Sequence, residues 1–329
     1  MNKKATAVAH PNIALVKYWG KRDEALILPH QSSFSMTLAP LEVKATLAFG
    51  AERDEVRING RAAQGSELTR VIALVERVRQ TNPGLGPVRV VTQGNFPMSA
   101  GLASSAAAFA AIAVAIRAAA GLTKDARESS ILARLGSGSA SRSVEGGFCT
   151  WHRGQREDGA DSFAEQIFPA SHWPQLRMMA VVLSGEEKEV KSRDGMRQTV
   201  ETSPYYPAWI QDAEAEVPRA IELVRRSDLE ALGALCERNA WRMHATSMAA
   251  VPPLCYLKPK TFQLIEAVAA ERRKGLPVWF TLDAGPNPVL ITLEEHLDAC
   301  QRLAQQVGAE NTVRCAPGGD ARLVEEHLF

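Results

Sequence analysis

Between Asn95 and Ala107 the chain passes from a strand-like run, through small residues, into an alanine-rich helical stretch, with Gly101, Ser104 and Ser105 at the transition. Such a turn aims backbone N–H groups and two hydroxyls at whatever lies beside the helix start, where aligned peptide dipoles add roughly half a positive charge. That is the chemistry of a phosphate cradle, although the same residues also build an ordinary serine-capped helix behind a tight turn. The lysine of GxxxxGK[ST] is missing and no G-x-G-x-x-G occurs, so this is neither an ordinary P-loop nor a dinucleotide fingerprint. Three other segments bring charge into small or apolar surroundings. Asn12 to Lys21 sets Asn12, Lys17, Tyr18 and Lys21 in an otherwise apolar stretch, Gly136 to Arg142 is a second serine-glycine loop ending in a guanidinium, and Asp283 to Asn287 puts a carboxylate at the mouth of an apolar strand. On local grounds Asp283 reads as a strand-end stabiliser of the Gly285-Pro286 turn, Lys17 as a snorkelling surface lysine and Arg142 as a surface ion-pair partner.

The elements that must position these groups alternate in type. Strand character is predicted for 43–49, 88–92, 178–183, 278–282 and 289–292, and helical periodicity for 67–81, 104–120, 126–135, 208–226, 229–248 and 261–274. The class is therefore mixed α and β, with no internal repeat. A domain boundary is placed near 180, after a loop region rich in charge, glycine and proline, to within about ten residues.

Length and composition bound the function. The 329 residues are 46% hydrophobic and 23% charged, the range of folded globular chains rather than disordered ones. Lys plus Arg number 38 against 37 Asp plus Glu, too balanced for a general nucleic-acid or membrane-surface binder, so any anion site must be local. The five cysteines are odd in number, widely spaced and free of CxxC, which argues against disulfides or zinc and for reduced, cytoplasmic thiols. Cys149 and Cys255 read as buried small apolar residues. Met1 to Pro11 lacks the apolar core of a signal peptide, and the longest apolar run, Ala106 to Ile116, is eleven residues, well short of the roughly 20 a membrane span needs. No metal-ligand spacing links His10, His30 and His244, which read as structural or hydrogen-bonding residues.

Taken together, NIALVKYWGKRD (12–23), LPHQSSFSMTL (28–38), PMSAGLASSAA (97–107), GSGSASRS (136–143), SRDGMRQTVETSP (192–204), MHATSMAAVPP (243–253) and DAGPN (283–287) resemble the diphosphomevalonate decarboxylases of the GHMP kinase superfamily. The resemblance covers almost the whole chain. The 97–107 loop marks only the superfamily, whereas KYWGK, the serine-glycine loop, TVETSP and DAGPN belong to the decarboxylase branch. Ser141 stands where many relatives have cysteine, and SRDG replaces the serine-threonine run of eukaryotic relatives, as in bacterial ones.

The resemblance implies a two-domain α+β GHMP kinase fold, with the active-site cleft between an N-terminal phosphate-loop domain (1–180) and a ferredoxin-like C-terminal domain (181–329) carrying the aspartate. It implies ATP-dependent decarboxylation of (R)-5-diphosphomevalonate through phosphorylation of its C3 hydroxyl, with Mg²⁺ on the ATP phosphates and no assignable protein ligand for the metal. Asp283, Lys17, Arg142 and Asn12 would then do the chemistry, and Tyr18, Lys21, Ser137, Ser139, Arg193 and Met196 would hold the substrate. Met196 also reads as a core residue. Gly101, Ser104 and Ser105 would hold ATP. A cytoplasmic homodimer without nucleic-acid or membrane partners is implied as well. The same scaffold hosts phosphomevalonate decarboxylases and mevalonate 3-kinases, and an inactive ligand-binding sensor is the remote alternative.

Overall fold

The computed structural model describes residues 4–96, 104–186 and 188–329. A six-stranded sheet runs in the order Arg322–Val324, Lys4–Ala9, Val43–Phe49, Val88–Gly94, Glu55–Ile58 and Arg61–Ala62. Its neighbours are antiparallel except Glu55–Ile58 and Val88–Gly94, which run parallel and are joined through the helix Gly65–Thr81. Val88–Gly94 buries alternate residues, the period-two pattern of a strand covered on one face. The covering helix Ser104–Ala119 is largely alanine on its buried side, so its axis approaches the strands Lys4–Ala9 and Val43–Phe49 closely.

The second sheet has eight strands and crosses the middle of the chain. Ser33–Ala39 is its hub, pairing with Phe148–Trp151 and Asn12–Val16, while its far end, Leu38 and Ala39, pairs with Pro317 and Ala316. From Asn311–Pro317 the ladder continues through Leu176–Val182 and Val289–Leu293 to Trp279–Thr281. The helices Tyr206–Arg225, Leu229–Met248, Pro259–Arg273 and Leu297–Gln306 belong to this second half. One apolar core lies under the six-stranded sheet, another between the end of the eight-stranded sheet and the helices Pro259–Arg273 and Leu297–Gln306. The largest combines residues from both halves, including Ile13, Leu15, Phe34, Met178, Trp209, Met243 and Trp279. The fold is the mixed two-half architecture expected, and the halves share both a ladder and a core.

All the predicted strands and helices are present, with ends moved by a few residues. Several further elements carry the cleft: the strands Asn12–Val16 and Ser33–Ala39, the 3-10 turn Gly138–Ser143 and the helix Ser192–Thr202. The last is polar and interrupted by Gly195, which periodicity alone reads as loop. A Cβ at Gly195 would meet the Tyr256 hydroxyl at 2.0 Å, so tertiary packing rather than helix propensity put glycine there.

Past Val16 the chain leaves the ladder, and side chains satisfy its backbone instead. The Trp19 carbonyl accepts from Trp209 Nε1 at 3.1 Å and from the Tyr206 hydroxyl at 3.4 Å. Gly20 follows at φ +107°, where a Cβ would lie 1.8 Å from that hydroxyl. Gly20→Ala combines a left-handed backbone with overpacking against a buried, tethered ring. It is expected to lower the unfolding free energy by about 2–4 kcal/mol, measured by urea denaturation.

Candidate active site

Lys17 is buried, and its Nζ lies 2.6 Å from Asp283 Oδ1, whose carboxylate is partly open to a cleft between the halves. Asp283 follows the strand Trp279–Thr281 in a loop clipped from two sides. Asn287 Oδ1 accepts from the backbone N–H of Leu183 at 2.8 Å, and the Thr261 hydroxyl donates to the Pro286 carbonyl at 2.7 Å. Burial alone would push the Asp283 carboxyl up, but the ammonium of Lys17, assisted by Lys188 and Arg142, holds it below the usual carboxylate range. It is an anion at neutral pH.

Arg142 is buried at the end of the 3-10 turn. Its Nε and Nη2 both donate to Asn12 Oδ1, at 3.2 and 3.1 Å, and its Nη1 donates to the Ser33 hydroxyl at 2.5 Å. Asn12 is fixed in turn, its Nδ2 donating to the Ser139 carbonyl at 2.9 Å and the Ser143 hydroxyl at 2.7 Å. A guanidinium has five N–H bonds, so one remains on each terminal nitrogen, the fork that suits a carboxylate. Burial lowers its pKa to about 10 against the pull of Asp283, and it stays charged.

The cleft, of about 920 Å³, is lined by Asn12, Lys17, Tyr18, Lys21, Ser104, Ser105, Ser137, Ser139, Arg142, Arg193, Met196 and Asp283. Of the catalytic, substrate and ATP residues expected from the sequence, Gly101 is the one not among them, because it lies outside the described residues. The lining holds eight Lys and Arg side chains against four Asp and Glu, a local cation excess in a chain whose net charge is +1. This favours a polyanionic ligand.

Polar groups in the cleft fit such a ligand. The Tyr18 hydroxyl is buried without a partner among the described residues, near Arg142 and Arg193, and burial raises its pKa far above the ordinary phenol value. Its ring sits edge-on to Trp151 at 4.7 Å. Gly138 lets the 3-10 turn lie on that pair, since a Cβ would fall 2.8 Å from Trp151. Lys21 is buried and held by Glu24, with burial pulling its pKa down. The first turn of Ser104–Ala119 carries no acid, and Ser104 and Ser105 in it line the cleft. Among the described residues no three His, Cys, Asp or Glu side chains cluster as metal ligands. A cation here would be held mainly by ligand phosphates, the habit of magnesium.

Four cleft cations escaped the sequence reading: Arg61, Arg70, Lys188 and Lys191. Lys188 points toward Asp283 and Ser192, its pKa lowered by burial and raised again by that carboxylate. Arg70, on Gly65–Thr81, stacks 4.8 Å over the Phe109 ring. In sequence Lys188 belongs to a charged run and Arg70 to the polar face of a helix, and neither has a local signal. Cys255 was expected to be buried and is exposed. It lies in the irregular stretch after Leu229–Met248, where Leu254 and Tyr256 turn inward and leave it outward. His10 Nδ1 donates to the Leu41 carbonyl at 2.7 Å, His30 packs edge-on to Tyr206, and His244 is buried beside Lys17, its pKa lowered by burial to about 4.

Comparison with known proteins gives consistent matches. Residues 9–164 match the family model described as diphosphomevalonate decarboxylase-like N-terminal domain, and residues 178–319 match that of the mevalonate 5-diphosphate decarboxylase C-terminal domain. The diphosphomevalonate decarboxylase of Bos taurus is 39% identical over 313 residues, covering 88% of this chain and 77% of the relative. The crystal structure of mevalonate diphosphate decarboxylase from Staphylococcus aureus superposes with a TM-score of 0.93 at 33% identity, covering 99% of both chains. A structure described as MDDEF in complex with MVAPP, AMPPCP and magnesium gives 0.91 at 38% identity, covering 98% of this chain and 99% of that one.

Removing Asp283 leaves Lys17 buried beside Arg142 and Lys188 with no counter-charge. Asp283→Asn is expected to destabilise the fold by about 1–3 kcal/mol at neutral pH, less than for a fully enclosed pair because the carboxylate is partly open to water. Since the folded carboxyl titrates below its unfolded value, this difference is full above the unfolded pKa and fades as pH falls through the folded one. Paired thermal melts across the acid range measure it.

Proposed function

The chain belongs to the diphosphomevalonate decarboxylase family, and from that premise we infer that it converts (R)-5-diphosphomevalonate and ATP into isopentenyl diphosphate, carbon dioxide, ADP and phosphate, a step of isoprenoid synthesis. The observation that carries the assignment of roles is the Lys17–Asp283 pair at 2.6 Å on a cation-rich cleft, with the Arg142 fork beside it.

Asp283 accepts the hydrogen bond of the C3 hydroxyl and aims its oxygen at the γ-phosphoryl group of ATP. A loose phosphoryl-transfer transition state needs alignment and charge neutralisation more than early proton removal. Lys17 keeps that carboxylate ionised. When the C3 phosphate departs, positive character grows at C3, and the electron pair of the bond to the carboxylate becomes the new alkene as carbon dioxide leaves. Asp283 stabilises that developing charge as well. Arg142, locked by Asn12, presents its two remaining N–H bonds to the substrate carboxylate until it is lost.

Tyr18, Lys21, Ser139 and Arg193 take the substrate diphosphate, which satisfies the orphaned Tyr18 hydroxyl. Met196 packs against the carbon skeleton, Ser137 stands between the two ligands, and Ser104 and Ser105, with Gly101, take the ATP phosphates. Mg²⁺ on the ATP phosphates adds neutralising charge at the transferred group. The protein works in the cytosol, a reading supported by five free thiols, four of them buried, which suit a reducing compartment.

The direct test supplies Mg²⁺-ATP with mevalonate, its 5-phosphate or its 5-diphosphate, and follows ADP and carbon dioxide separately. Equal release of both with the diphosphate alone is expected. ADP without carbon dioxide would make the enzyme a kinase, and turnover of the monophosphate would reassign the substrate. Asp283→Ala should cut turnover by several orders of magnitude with ATP binding nearly unchanged. Arg142→Lys should also be severe, because a point ammonium does not reproduce the fork; parent-like kcat/KM for that variant would remove the bidentate contact.

A further inference from the structure

Lys17 is the first residue beyond the strand Asn12–Val16, and its backbone N–H finds no ladder partner. It donates instead to Oδ1 of Asn239, at 2.8 Å, from the middle of the helix Leu229–Met248. Asn239 is fully buried, and its Nδ2 donates to Glu216 Oε2 at 2.7 Å. Glu216, on the neighbouring helix Tyr206–Arg225, is itself buried, an unusual place for a carboxylate. Its other oxygen accepts from Arg238 Nε at 2.8 Å and Arg242 Nη1 at 3.2 Å, and both guanidinium groups reach solvent.

This chain of contacts has a direction. An asparagine amide can flip, presenting either its oxygen or its NH₂ to a neighbour. Beside a carboxylate only the NH₂ is tolerated, so Glu216 forces the carbonyl oxygen toward the Lys17 N–H. Two surface arginines alone would not account for a carboxylate aimed inward at an amide. Neither Glu216 nor Asn239 lines the cleft.

We propose that Asn239 and Glu216 are positioning residues for catalysis, which fix the backbone of Lys17 and thereby set its ammonium against Asp283. The proposal rests on the catalytic reading of Lys17 and Asp283. The pair forms between elements of opposite halves of the chain, so an error in the Lys17 backbone passes directly into the separation of the ion pair. Misplacement by about 1 Å in such a constellation costs on the order of 100-fold in rate.

The charged and titratable groups facing Asp283 are Lys17, Lys188, Arg142 and the buried His244. Of these only Lys17 depends on Asn239. Asn239→Leu, of similar volume, is therefore expected to lower kcat by 10- to 100-fold with KM for ATP within about twofold, and to move the acid limb of kcat/KM to higher pH as Asp283 loses part of the field that keeps it ionised. Glu216→Leu should reproduce both effects. Glu216→Gln, which keeps an oxygen for Asn239 Nδ2, should lose several-fold less.

An unmoved acid limb, or a fall in activity wholly accounted for by loss of folded protein in circular dichroism, would overturn the proposal. If Asn239→Leu does not fold, the comparison of Glu216→Leu with Glu216→Gln carries the test. Lys17→Met separates the two layers of the argument. If it retains parent turnover, the reading of Lys17 fails; if it is inactive while Asn239→Leu keeps parent kcat and pH profile, only the positioning proposal fails.

Discussion

An ammonium ion shut away from water is the constraint around which this molecule is arranged. The Lys17 side chain is 2% exposed, and withdrawing such a charge costs several kcal/mol even after relaxation. Asp283 is what makes its burial tolerable, and it does so only at contact distance. The two residues are remote in sequence and lie on different halves, so the relative placement of those halves must be held to a fraction of an ångström. Arg142 and Lys188 crowd more positive charge around the same carboxylate, leaving the cleft short of anions. A substrate with a carboxylate and a diphosphate, together with ATP, supplies what the protein alone lacks.

That demand explains why the halves are joined so firmly. A pair of globules on a linker would let the ion pair open with every hinge motion. Here the strand Ser33–Ala39 carries the ladder from Asn12–Val16 to Asn311–Pro317, and the largest apolar core takes residues from both sides. The residues after Val16 are gripped from the second half by Tyr206 and Trp209 at the Trp19 carbonyl. Rigidity is concentrated where the lysine leaves its strand, and the two ends of the ion pair are fixed to one continuous body.

Much of this was legible in the residues. Asp283, Arg142 and Lys17 each admit a structural reading on local grounds, and it is their motifs, through the family resemblance, that single them out. The helices of the second half, and Ser104–Ala119, are long and periodic enough to be read directly. Ser33–Ala39 was not read, because its serines break the apolar alternation, and their function is tertiary: Ser33 accepts from Arg142. Lys188, Asn239 and Glu216 were equally silent. A polar residue turned inward from a helix looks, in one dimension, like a polar residue turned outward. Arg134 makes the same point, since it sits in the last turn of Ala126–Gly136 where a basic residue suits the helix dipole, yet it is buried and donates to the carbonyls of Leu26 and Gly159.

The strand Arg322–Val324 closes the edge of the six-stranded sheet by pairing with Lys4–Ala9, Thr6 facing Val324. These partners are far apart in the sequence. Until the late strand arrives, Lys4–Ala9 presents a row of unpaired amides and carbonyls, a template for any other extended chain. A chain that has not yet made this pairing carries an open seam along one edge of the sheet. Closure between such distant positions comes after much local folding and is slow. The long-range pairing that completes the folded sheet therefore leaves the same edge open to other extended chains until it forms.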